Sequence, residues 1–140
     1  MALAGYSGTP LIKKLGIKPG MKILLIFPPG NYFELLETDI SDQLVLKNKT
    51  PDLIHLFAKD NATFKEAMKP VLKKCSLNSS VIIWVSWYKK SSGMATDLTE
   101  DIIRQFALGN NLVDVKVCAV SAEWSGLKLV IPVLKRYVLT

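Results

Sequence analysis

The sequence predicts an α/β chain: a mostly parallel sheet flanked by helices, with a C-terminal antiparallel strand pair. Three observations carry that expectation. Residues 22–27, 52–58 and 81–87 are nearly continuous apolar runs, the pattern of strands buried on both faces of a parallel sheet. Residues 62–75 and 96–108 place apolar side chains at helical spacing, giving each segment one face for the core. Residues 112–121 and 126–131 alternate instead, and the short link between them favours antiparallel pairing.

Taken in order, Thr9-Pro10 opens a short helix, with Lys13-Lys14 near its end and Gly16 to stop it. Residues 17–20 form a turn into the first strand, so residues 1–20 are an N-terminal helix and turn. A helix over 31–37 and a short strand over 43–46 follow. The helix over 62–75 points Phe64, Ala67, Met68, Val71, Leu72 and Cys75 inward, and Pro70 is expected to kink or restart it. The helix over 96–108 points Leu98, Ile102, Ile103 and Phe106 inward. In the last pair, Val113, Val115, Val117 and Ala119 oppose Asp114, Lys116, Cys118 and Val120, while Leu127, Leu129 and Ile131 oppose Lys128 and Val130. No repeat or linker interrupts the pattern, so residues 1–140 read as one Rossmann-like domain.

Composition narrows the function classes. The chain of 140 residues is 49% hydrophobic and 21% charged, globular rather than disordered. No apolar run reaches the roughly 20 residues of a membrane span, and the start lacks the basic and apolar regions of a secretory signal. Cys75 and Cys118 stand far apart without metal-like spacing, so a reduced, cytoplasmic protein with no membrane partner is expected. A net charge of +6 favours anionic partners. The lysines are dispersed in pairs such as Lys73-Lys74 and Lys135-Arg136, and there are only two arginines.

Particular stretches resemble the class I S-adenosylmethionine-dependent methyltransferases. Leu15–Leu24 resembles their approach to the first strand, Pro51–Phe57 their aspartate-bearing strand, Leu77–Ser86 the next strand and Leu112–Val130 their terminal hairpin. Most of the chain is covered, with one strand–helix unit fewer. A closer resemblance is to a small bacterial family catalogued as a domain of unknown function. It rests on Gly5–Leu11, Trp84–Trp87, Lys89-Lys90, Thr96–Asp101, Val113–Ala119 and Trp124–Lys128. That likeness implies the fold and brings no activity with it.

The methyltransferase likeness implies a glycine-rich loop after the first strand, where backbone lies close against the cofactor. Phe27–Phe33 occupies that place with two prolines and three aromatic rings, removing N–H donors and adding bulk. The likeness also implies an acid after the second strand to accept from ribose hydroxyls. Lys47 stands there and accepts nothing. No cofactor is therefore expected, S-adenosylmethionine being disfavoured.

Other residues invite chemistry and have plainer readings. His55, the only histidine, lies inside an apolar strand and reads as a hydrogen-bonded core residue, with Asp52 facing the other way. Cys118 shares a strand face with Lys116, which lowers a thiol's pKa, though a half-buried small side chain is the simpler reading. Asp97, Glu100 and Asp101 suit the start of a helix, Asp97 capping and Glu100 reaching back. Lys65, Lys69 and Lys73 line one helix face that tracks a phosphate backbone or simply meets solvent. Trp84, Trp87, Tyr88 and Trp124 stack on bases or pack in the core.

In an open α/β sheet ligands collect at the carboxyl ends of strands. There Lys89, Lys90, Ser91 and Gly93 precede a helix start and suit an anionic group. Pro29, Gly30 and Asn31 are the second set of ligand-binding positions; no catalytic residue and no metal ligand is assigned. The leading expectation is a methyltransferase-like module that does not catalyse methyl transfer and binds an anionic small molecule or a protein partner. The alternatives are a small methyltransferase with an atypical cofactor loop, and a nucleic-acid accessory protein.

Overall fold

The computed structural model describes residues 8–133, so the first seven residues and Lys135-Arg136 lie outside the described part. Leu11–Leu15 forms helix α1, closed by Gly16 in the left-handed conformation (φ 79°). Strand β1 (Ile23–Ile26) leads to α2 (Tyr32–Leu36), and β2 (Leu53–Phe57) leads to α3 (Asn61–Cys75). Strand β3 (Ile82–Tyr88), helix α4 (Glu100–Leu108) and strands β4 (Val113–Ala119) and β5 (Trp124–Val130) complete the order.

The sheet runs β1-β2-β3-β5-β4. The first three strands are parallel, and β5 is antiparallel to both of its neighbours. All five residues of β2 are buried, as an apolar run in the middle of a covered sheet requires. Leu24, Ile26, Ile54, Leu56, Ile83 and Val85 face α3 and α4, while Ile23, Leu53, Phe57, Trp84 and Tyr88 face α1 and α2. The Trp84 indole donates to the Leu15 carbonyl at 2.9 Å, which ties α1 to the sheet. Gly126 makes room for that indole, because a Cβ there would sit 3.2 Å from Trp84 and 3.1 Å from Val120. No helix among the described residues is long and apolar enough to cross a membrane.

Four expectations need correction. The strand expected over 43–46 is a 3-10 turn at Ser41–Gln43 followed by one parallel bridge, Ile23 to Leu44. Helix α3 runs through Pro70 as one element, so it does not restart there. The ring sits on the exposed side, where water can take the Glu66 carbonyl that loses its donor. Helix α4 starts at Glu100, capped by the Thr99 hydroxyl, while Asp97 accepts from the Asn61 N–H at the start of α3. Finally, β4 is irregular between Asp114 and Lys116. The extra residue changes the facing of everything after it, and Val115 and Val117 are half-exposed on this edge strand.

Candidate functional site

The turn after β1 decides what lies above the sheet. Phe27 takes a left-handed conformation (φ 55°) that a glycine would adopt without strain, and the residue is 60% exposed. The turn then delivers Tyr32, whose N–H bonds the Pro29 carbonyl, into the core rather than over the strand ends. Tyr32 is buried against Phe57 with ring centres 5.7 Å apart. Its hydroxyl shares a hydrogen bond with His55 Nδ1 at 2.7 Å, and His55 Nε2 shares another with the Ser86 hydroxyl at 2.7 Å.

This buried chain fits the reading of His55 as a satisfied core residue. Burial holds the imidazole down at about 3, so it is neutral, and raises the Tyr32 hydroxyl above its ordinary value. Asp52 is elsewhere, accepting from the Lys22 N–H at 2.8 Å. Burial pushes the Cys75 thiol up to about 11. Burial also raises Cys118, against the pull of Lys14, Lys116 and Lys89. A lysine-activated thiolate is not formed.

With Tyr32 turned downward, a cavity of about 670 Å³ opens at the carboxyl ends of β1, β2 and β3. Phe27, Pro28 and Pro29 form one wall, and Thr63 from the first turn of α3 lies beside them. Phe57, Tyr88 and Trp124 form an aromatic floor. There Tyr88 stacks on Trp124 with centres 4.3 Å apart, and Phe57 meets Trp124 edge-on at 5.0 Å. Lys59 supplies a cation and Glu123, from the turn between β4 and β5, a carboxylate.

The residues picked from sequence are only partly gathered. Pro29 lines the cavity; Gly30 and Asn31 do not, Asn31 standing at the start of α2. Lys90 lines a separate depression of about 650 Å³ that also contains Glu100 and Asp101. Lys89 belongs to the other side, beside Lys14 and Cys118. Ser91 lies in a 3-10 turn over Lys90–Ser92, closed by Gly93 at φ 76°. Among the described residues no group of three or more histidine, cysteine, aspartate or glutamate side chains could hold a metal ion.

The acids of the 96–101 segment have structural partners. Arg104 binds Asp101 at 2.8 Å, Asp114 at 3.1 Å, and Glu100. On α3, Lys69 pairs with Glu66 at 3.0 Å, which interrupts the lysine stripe. The lysine that sequence reasoning passed over is Lys74. It is 8% exposed and donates to the Lys47 carbonyl and, at 2.7 Å, to the Lys49 carbonyl. Its spacing from Val71 on the apolar face of α3 was the available signal. Lys59 and Glu123, isolated in loops, gave none.

The sequence matches no family model and no curated protein. Solved structures do match. A protein of the NADB-Rossmann superfamily from Streptococcus agalactiae aligns with TM-score 0.56 and 8% identity, over 88% of this chain and 68% of its own. A candidate type 11 methyltransferase from Sulfolobus solfataricus aligns with TM-score 0.53 and 14% identity, over 86% and 89%. A candidate tRNA methyltransferase from Streptococcus pneumoniae aligns with TM-score 0.50 and 7% identity, over 92% and 75%. At such identities the likeness shows the fold alone, and that fold is Rossmann-like and methyltransferase-like.

One expectation falls here. The sequence leads one to expect no cofactor, S-adenosylmethionine being disfavoured by two prolines and the bulk of Phe27, Tyr32 and Phe33 in the turn after β1, and by Lys47 where an acid is wanted. Instead the fold is shared with proteins described as methyltransferases, and the turn borders an open cavity because Tyr32 is drawn under the sheet by His55.

Proposed function

We propose that the chain is a small S-adenosylmethionine-dependent methyltransferase with an atypical cofactor loop. The observation that carries this reading is the cavity of about 670 Å³ between Phe27–Pro29 and the stacked Tyr88–Trp124 pair. Its volume falls in the range of sites that enclose ligands of cofactor size, and its position is where open α/β sheets hold ligands.

The residues present fit such a ligand by a different route from a glycine-rich loop. Pro28 and Pro29 donate no N–H groups, so the wall they form is apolar and suits a flat ring or a thioether. Glu123 is the carboxylate able to accept from ribose hydroxyls or an ammonium group, and Lys59 is the cation able to meet a carboxylate. When bound, the cofactor supplies an electrophilic methyl group. The chain's own part is to exclude water with its aromatic floor and to orient an acceptor. Kinship with the small bacterial family of unknown function belongs to the same proposal and rests on the stretches quoted above.

Calorimetry with S-adenosylmethionine and its demethylated product tests the reading. Micromolar binding by the native chain, weakened about tenfold or more by Glu123→Ala, is the expected result. No binding of either compound at millimolar concentration would retire it.

A further inference from the structure

Two charge clusters stand on opposite faces of the sheet. On the α4 side, Glu100, Asp101 and Asp114 gather on Arg104. On the α1 side, lysines from four separate segments converge. Lys116 of β4 lies directly opposite Lys128 of β5. Lys128 in turn lies opposite Trp84, whose indole reaches α1, so both lysines stand on the α1 face. Helix α1 adds Lys14, whose Nζ comes within 3.4 Å of the Ala119 carbonyl. The end of β3 adds Lys89, whose N–H bonds the Glu123 carbonyl at 2.9 Å.

Three of these lysines lie close enough to share neighbours. Partial burial and the Lys14 ammonium both hold Lys89 below its ordinary value, and Lys14, Lys89 and Lys116 all act on Cys118. Like charges placed directly opposite in a sheet are destabilising, so the Lys116–Lys128 pair is not explained by folding. Among the described residues neither of the two is in an ion pair. A surface that concentrates one sign of charge attracts the opposite sign.

The surface also adjoins the cavity. Lys89 directly follows Tyr88 and is bonded to Glu123, two residues of the cavity lining. At the same cavity Phe27, 60% exposed, offers an aromatic face, which unpaired bases use and duplex bases cannot reach. A lipid surface fits less well. The exposed Val117, paired with Leu127 in register, belongs to the other face of β4 and offers no apolar anchor beside the lysines.

We propose that Lys14, Lys89, Lys116 and Lys128 seat the phosphate backbone of a single-stranded nucleic acid, with one base presented at the cavity. This names the acceptor class for the methyltransferase reading and rests on it. The cluster, rather than the Lys65–Lys69–Lys73 stripe, is the electrostatic footprint.

Fluorescence anisotropy with a labelled oligouridine of about twelve nucleotides, its DNA counterpart and an RNA duplex tests the proposal. The native chain should bind the single strands more tightly than the duplex, with affinity falling as salt rises. In the double variant Lys116→Gln, Lys128→Gln, affinity should drop at least about tenfold. Its log–log salt slope should shrink by about 1.4, roughly 0.7 for each lost contact. The triple variant Lys65→Gln, Lys69→Gln, Lys73→Gln should leave both unchanged. Relieving opposed like charges should leave the double variant's melting temperature equal or higher, which separates lost binding from lost folding. Native binding by the double variant, loss confined to the triple variant, or equal duplex binding would overturn the proposal. Calorimetry with S-adenosylmethionine on the same samples separates the two readings. Cofactor binding without strand binding defeats this inference alone. Strand binding without cofactor binding upholds the lysine seat and defeats the methyltransferase reading.

Discussion

The Tyr32 hydroxyl and His55 Nδ1 stand 2.7 Å apart, at a buried joint between α2 and the middle of the sheet. Nε2 of the same ring is held by Ser86 on β3, so one imidazole links three elements. Removing a partner from a buried polar group leaves that group unsatisfied, at a cost of about 1–3 kcal/mol. Tyr32→Phe should lower unfolding free energy by about that amount, measured by urea denaturation. It should also loosen the Phe27–Tyr32 turn, because the hydroxyl draws that turn under the sheet. A native urea midpoint in this variant would mean that the pair is idle.

The neutral state of His55 makes stability depend on pH. Its folded pKa is about 3 against an ordinary value of 6.5, so between those values the unfolded chain binds the extra proton. Stability therefore rises with pH through this window and is lost as pH falls below 6.5, by about 1.4 kcal/mol per unit. Above about pH 5 few carboxylates titrate, and the histidine dominates. Urea midpoints measured from pH 7 down to 5 should fall for the native chain and stay level for His55→Gln. Parallel slopes for the two proteins would refute the assignment.

Lys74 offers a third measurement. Its ammonium fastens the Lys47 and Lys49 carbonyls, which belong to the link between α2 and β2. Lys74→Met keeps the stem in place and removes the donor. Two backbone carbonyls then lose a charged partner, and a loss of about 1–3 kcal/mol is expected. Limited proteolysis should show earlier cleavage within residues 46–50, while α3 remains resistant. An unchanged cleavage pattern would show that the link is held by other means.

These residues also mark what can be read from a sequence and what cannot. The buried strands β2 and β3 and the antiparallel pair were legible, because side-chain period and burial are local properties of the chain. The start of α4 was not. Thr96-Asp97 and Thr99-Glu100 are both plausible caps, and distant bonds decide between them: Thr96 to the Lys59 carbonyl, Asp97 to the Asn61 N–H. The β4 irregularity is equally silent, since Val-Asp-Val-Lys-Val alternates without interruption. The cavity was misjudged for the same reason. Aromatic bulk at 27–33 was visible, but the direction of Tyr32 is set by a histidine on another strand.

Phe27 carries the last prediction. A non-glycine residue in the left-handed region costs roughly 1–2 kcal/mol, and here an exposed aromatic residue bears that cost. Strain of this kind persists at sites where the side chain is used. Phe27→Gly removes both strain and ring; Phe27→Ala removes the ring and keeps the strain. Phe27→Gly should raise stability by up to about 1 kcal/mol, the relief being partly offset by glycine's greater freedom in the unfolded chain. Phe27→Ala should show no such gain. Calorimetry should show weaker S-adenosylmethionine binding in both variants alike, because both lose the wall beside Pro28. If the glycine variant gains stability while both bind as the native chain does, the ring is no part of the cofactor site and its strain has another cause.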